Sequence, residues 1–332
     1  MPSRHGGRRF GRFSGRCSGV EFPGRVRTLR WLEFSPRRRY PLGVADLDKP
    51  AGPIIAPTNT AALPHVPSLS PTARRCHKPV FIVFLVVWAA NAAITGLQVQ
   101  LPAAFAWIEA LLPVTAAATT LLALACRLPL HNVFMAGLTV SFLATIILAV
   151  GALTGTPFGP ILYSDALGER IFGVVPWPLP LLWVVLIINA RGVARLVMRP
   201  WRKTNFYGFW VIGIGCALVV LFAMGFEPFA VQVKDYYLWQ VAPTAAGWFR
   251  VPWVDFLGWF LAALAITALS IPWLINKHPI KQPMDYQPLI VWLLLNLWPA
   301  LGCAAQGLWL PVIVTVAGNG IAAAYAIRGA RW

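Results

Sequence analysis

From residue 80 onward the chain reads as long apolar stretches separated by short polar connections. Each stretch runs for about 18 to 24 residues, enough to cross a hydrocarbon core of roughly 30 Å as a helix. The predicted spans are Val80 to Leu97, Ala103 to Ala125, Val133 to Leu153, Pro178 to Met198, Tyr207 to Phe226, Trp253 to Ile275, Pro288 to Ala305 and Leu308 to Ile327. Apolar and polar positions do not alternate within them as they would in a barrel strand. Lipid offers the backbone no hydrogen-bond partner, so helices that satisfy their own amides are the expected solution. The expected fold is all-α: a polytopic transmembrane bundle of about eight helices.

Residues Met1 to Lys78 break this pattern. They are rich in Arg, Gly, Pro and Ser, and their short apolar runs follow neither a helical nor a strand period. Such a segment buries too little surface to offset the entropy of ordering it. We therefore expect a disordered basic tail over 1–78, or upstream sequence read from a misassigned start, ahead of a membrane domain over 79–332. No apolar core of a signal peptide follows Met1. The tail's charge suits anionic lipid headgroups, and it lacks the aromatic and glycine spacing of an RNA-binding module, so no nucleic-acid partner is expected.

Composition agrees with a membrane class: 58% of the 332 residues are hydrophobic and only 12% are charged, with a mean hydropathy of +0.65. The charges add an orientation. With the N-terminus in the cytoplasm, Arg127, His131, Arg191, Arg195, Arg199, Arg202, Lys203, Lys277, Lys281, Arg328 and Arg331 share that side, whereas Arg170, Lys234 and Arg250 lie opposite. Basic residues favour cytoplasmic loops, so both termini are expected inside, in a bacterial inner membrane. The acids partition the other way: Asp165, Glu169, Glu227, Asp235 and Asp255 gather at the non-cytoplasmic end, leaving Asp285 inside and Glu109 within a span.

Carboxyl groups collected at one end of an apolar bundle suggest proton chemistry on a lipid-soluble substrate, because burial beside hydrocarbon favours the neutral, proton-donating form. The loop Gly155 to Trp177 carries Tyr163, Asp165, Glu169 and Arg170. If SDALGERIF forms a helical turn capped by Ser164, Asp165 and Glu169 share a face at i, i+4. Arg170 is placed to pair with one of them. A second polar stretch, Gly225 to Asp255, holds Glu227, Lys234, Asp235, Tyr236, Tyr237 and several tryptophans, some of which mark the headgroup boundary. Asp255 heads an apolar helix with Trp259 one turn below it, an acid beside an aromatic wall suited to making and sheltering a carbocation. Arg191 lies about two turns inside its span, which fits snorkelling or a tie between helices. Histidine pairs, a GxGxxG loop, a Walker loop and an Asp-rich DDxxD motif are all absent, which argues against di-iron, dinucleotide, nucleotide and diphosphate chemistry. The five cysteines have no CxxC spacing and read as small membrane residues.

Three blocks, GTPFGPILYSDALGERIFGVVPWPLPLLW at 155–183, FEP at Phe226 to Pro228 and FRVPWVDFLGWFL at Phe249 to Leu261, together resemble the carotenoid biosynthesis membrane family that includes carotenoid 1,2-hydratases. The resemblance covers roughly Val80 to Arg328. It implies hydration of the terminal 1,2 double bond of an acyclic carotenoid: a proton goes to the less substituted carbon, a tertiary cation forms, and water adds to give a tertiary alcohol. No cofactor or metal is expected. The partners implied are the membrane-dissolved carotenoid, the bilayer and other enzymes acting on carotenoids. Asp165, Glu169, Glu227 and Asp255 are the candidate catalytic groups, Asp165 with Glu169 first for the acid and Glu227 or Asp255 for orienting water. Phe158, Tyr163, Trp253 and Trp259 are the candidate substrate contacts. Two other readings remain: a carotene cyclase that quenches the same cation by ring closure, and a membrane transporter or lipid-binding protein without catalysis.

Overall fold

The computed structural model describes residues 71–99, 102, 105, 107–240, 247–275 and 284–331. Eight helices stand out among them: α1 Pro71–Gly96, α2 Trp107–Ala125, α3 Leu130–Thr154, α4 Pro178–Val197, α5 Tyr207–Gln232, α6 Trp253–Leu274, α7 Gln287–Ala305 and α8 Trp309–Ala330. All eight are long and apolar enough to cross a membrane, which makes the chain a polytopic helical bundle. The tail lies mostly outside the described residues, as do Lys277 and Lys281. Its last residues, Pro71 to Lys78, form the first two turns of α1.

α4 sits at the centre, packed against α2, α3, α5, α7 and α8, and its run from Leu182 to Ala190 is buried throughout. Several buried polar groups are tied across helices, as an apolar solvent favours. Asn189 Nδ2 donates to Thr120 Oγ1 at 2.9 Å, Trp298 Nε1 to Thr95 Oγ1 at 3.1 Å, and Trp292 Nε1 to Asn319 Oδ1 at 2.7 Å. Arg191 Nη2 donates to the Leu274 carbonyl at 3.0 Å. That bond fastens α4 to the end of α6 and gives the embedded arginine a structural tie.

The span predicted to end at Phe226 continues to Gln232. Pro228 has no amide to offer the Met224 carbonyl four residues back, which ordinarily kinks or ends a helix. Trp248, from beyond the end of α5, donates its Nε1 to that carbonyl at 2.9 Å. With its orphan acceptor satisfied, the helix runs on, and Glu227 belongs to α5 rather than to a loop.

The two long connections at one end of the bundle form a small β-structured cap. β1 (Ile161–Tyr163) pairs antiparallel with β4 (Tyr237–Trp239) in the register Ile161 to Trp239 and Tyr163 to Tyr237. β2 (Arg170–Ile171) pairs with β3 (Val175–Pro176), and β5 (Gly247–Trp248) with β6 (Val251–Pro252). Ser164 Oγ donates to the Asp235 carbonyl at 2.6 Å, which locks the two connections together. At the opposite end Arg127 pairs with Asp285 at 3.1 Å.

Candidate functional site

Asp165 and Glu169 do not share a helical face. Ser164 Oγ does accept from the Ala166 amide, as a cap should, but the helix it starts is a single 3-10 turn, Asp165–Leu167. Gly168 follows at φ +80°, ψ −161°, a region open essentially to glycine alone, and it turns the chain into β2. The Asp165 side chain is 99% exposed and pairs with Arg170 at 2.7 Å. Arg170 also donates to the Tyr163 carbonyl at 2.9 Å, so the pair braces the loop.

The buried acids are the other two. Glu227, one turn before the end of α5, is 2% exposed, and Asp255, in the first turn of α6, is 1% exposed. Trp259, one turn below Asp255, donates its Nε1 to Glu227 Oε1 at 3.1 Å and also lies within bonding reach of the Asp255 carboxyl. The Tyr237 phenol lies beside the Glu227 and Asp255 carboxyls. Glu227 Oε2 and Asp255 Oδ2 remain buried with no partner. Among the described residues neither carboxyl has a Lys, Arg or His within ion-pair distance.

Aromatic rings enclose this pair. Trp183 of α4 stacks on Trp259 with centroids 4.8 Å apart, and Phe158 meets Trp259 edge-on at 6.5 Å. Phe158 is wedged between two helices that are bare where it lies: a Cβ on Gly151 or Gly258 would stand 2.7 or 2.8 Å from its ring. The β1–β4 register sets Tyr163 against Tyr237, edge to face at 5.9 Å. Burial first, and then the nearby Glu227 and Asp255 carboxyls, push both phenols well above the usual tyrosine range. They stay neutral hydrogen-bond donors. Of the expected substrate contacts, Phe158, Tyr163 and Trp259 therefore converge on the acids. Trp253 does not: it is 52% exposed and packs outward against Trp248 and Phe256.

Beside the cluster lies a cavity of about 280 Å³ between α2, α4, α5 and α7, walled by Leu112, Leu182, Phe226, Leu295 and Trp298 among others. Phe222 lines this cavity and packs against Trp259, so one aromatic layer separates the space from the carboxyl pair. Asp165 and Glu169 also line the cavity, as does Glu109. Glu109 was legible only as a lone acid in a span. It accepts hydrogen bonds from Lys234 and, at 2.5 Å, from Tyr236, so it latches the cap to α2. The signal for this pairing was the scarcity of cations at that end, where Lys234 is one of three. Tyr237 was missed as a site residue, because only the strand register brings it to Tyr163.

The comparisons with known proteins come to bear on this geometry. No solved structure matches the chain. A bisanhydrobacterioruberin hydratase of Haloarcula japonica is 26% identical over 113 residues, which is 34% of this chain and 36% of that protein. The match thus spans little more than a third of the relative's length. A family profile described as carotenoid biosynthesis protein covers residues 105–321, which contain every residue of the buried cluster and of the cavity. The chain belongs to the carotenoid biosynthesis protein family.

Proposed function

We propose that the protein is a cofactor-free carotenoid hydratase in which Glu227 and Asp255 carry the proton chemistry. The observation that supports this most is convergence: the three sequence blocks that carry the family resemblance supply Phe158 and Tyr163, then Glu227, then Asp255 and Trp259, to one buried cluster. Two carboxyl groups buried together in an apolar wall without a cation repel each other as anions, and in the proposed reaction one of them carries the transferable proton. Trp259 occupies Oε1 of Glu227, and Oε2 is free to carry it.

In the proposed reaction the terminal isopropylidene of an acyclic carotenoid enters from the cavity past Phe222. The carboxyl proton moves to the less substituted carbon of the 1,2 double bond, and a tertiary cation forms. The Trp183–Trp259 stack and the Phe158 and Tyr163 rings shelter it through their electron-rich faces. Water held by Asp255 adds to the cation, and its proton returns to the carboxyl pair, so the catalyst is regenerated without redox change. Asp165 and Glu169 take the role of cavity rim and loop brace. We further propose a bacterial inner-membrane location with both termini cytoplasmic, which rests on the distribution of basic residues.

The test is expression in cells that accumulate lycopene or another acyclic carotene. Products heavier by one water are expected. An isomeric product identifies a cyclase, and unchanged pigment across several acyclic substrates refutes both.

A further inference from the structure

The end of the bundle opposite the carboxyl cluster carries a second feature that the proposed chemistry does not use. α4 ends at Val197, a single 3-10 turn follows at Arg199–Trp201, and Arg202 and Lys203 come directly after it. The last turn of α8 lies against this corner so closely that a Cβ on Gly329 would stand 2.0 Å from the Leu196 carbonyl oxygen. That contact brings Arg328 and Arg331 to the same corner as Arg195, Arg199, Arg202 and Lys203. None of these six cations has an ion-pair partner among the described residues. Among the described residues the acid at this end, Asp285, is already paired with Arg127.

Between α4, α5 and α8 the same corner opens into an apolar groove of about 460 Å³, lined by Met198, Trp201, Trp210, Ile214 and Tyr325 among others. Trp201 and Trp210 are both substantially exposed. An apolar slot that ends at a cluster of cations matches an amphiphile with a hydrocarbon chain and an anionic head, and basic pockets between transmembrane helices bind such headgroups. Lys and Arg near a membrane surface attract anionic lipid, and tryptophans anchor at the headgroup level.

We propose that this groove is a binding site for one anionic phospholipid, with an acyl chain against Trp201, Trp210 and Ile214 and the phosphate over Arg199, Arg202 and Lys203. The occupant is a bilayer lipid, because the groove is an apolar surface that a free phosphate leaves uncovered.

The test is native mass spectrometry of the full chain released from nanodiscs of equal phosphatidylglycerol and phosphatidylcholine. A phosphatidylglycerol that survives after phosphatidylcholine is stripped is the expected result. The variant R199Q/R202Q/K203Q should weaken retention by roughly a hundredfold, at about fivefold per cation. Ile214→Trp keeps every charge and fills the groove, and it should lose the lipid too. Equal retention of the two lipids by the wild type overturns the proposal. So does phosphatidylglycerol retained by Ile214→Trp, which would mean diffuse surface attraction instead of a seated lipid. Should the triple variant not fold, titration of phosphatidylglycerol into phosphatidylcholine nanodiscs decides. A saturable curve weakened by salt is expected, and uptake that never saturates overturns the site.

Discussion

Replacing Glu227 by Gln separates the buried pair from the exposed one. Gln keeps the length and shape of the side chain and still offers Trp259 Nε1 an oxygen in place of Oε1, the 3.1 Å acceptor. It cannot carry the transferable proton. A positioned general acid contributes about 10²- to 10⁴-fold to rate, or roughly 3–5 kcal/mol of barrier. The fold should survive, since the amide enters a position where Oε2 already has no partner; the cost of that unsatisfied group is about 1–3 kcal/mol. The assay is the initial rate of hydrated product in cells making an acyclic carotene, normalised to the amount of protein in the membrane. Asp165→Asn is the matched control: its side chain sits at the cavity rim, 99% exposed and paired with Arg170, so it should stay within about threefold of wild type, a fraction of one decade in barrier terms. A Glu227→Gln protein within that same range, or an Asp165→Asn protein as inactive as Glu227→Gln, would move the proton out of the buried cluster and back to the loop.

Other consequences follow from single contacts. Gly258→Ala puts a Cβ 2.8 Å from the Phe158 ring and 2.9 Å from the Pro157 carbonyl oxygen; overpacking of this kind costs about 1–3 kcal/mol, read as a lowered Tm in detergent together with loss of product. Trp248→Phe strands the Met224 carbonyl and should cost about 1–3 kcal/mol, whereas P228A in the same chain restores an amide at that position and recovers most of the loss in Tm. Glu109→Gln leaves Lys234 without its anion. With side chains 20% and 15% exposed, the cost should be roughly 1–3 kcal/mol, below that of a fully buried pair, and E109L/K234M should cost less than either single change. Tyr163 and Tyr237, held above the usual range by burial and the carboxyl pair, should contribute no tyrosinate absorbance near pH 11, past the ordinary phenol value of about 10. Because the unfolded phenols release protons that the folded ones retain, stability should fall as pH rises from about 10, and less steeply in Y163F/Y237F.

The eight helices were legible because lipid acts as a filter that sequence obeys: a span must be long, apolar and internally hydrogen-bonded, and nothing distant can excuse it. Where a distant residue does supply an excuse, the local signal misleads. Glu227 and Pro228 look like the end of a helix, and α5 passes through them because Trp248 donates to the carbonyl that Pro228 leaves bare. The i, i+4 spacing of Asp165 and Glu169 looks like a catalytic pair, and one glycine at φ +80° ends the turn between them. Both differences in backbone geometry concern the same question, which polar groups leave water, and a period along the chain cannot answer it. Carboxyl count and placement by end were readable from sequence. Burial was not, since it depends on Tyr163 meeting Tyr237 across the strand pair and on Trp183 and Trp259 stacking between helices. A general acid must be protonated when the substrate arrives, and water favours the charged form of any carboxylate it can reach. A carboxyl in a polar-looking loop is therefore a weaker candidate than one hidden in a helix beside a proline, and the part of α5 beyond its expected end carries the acid of the proposed reaction.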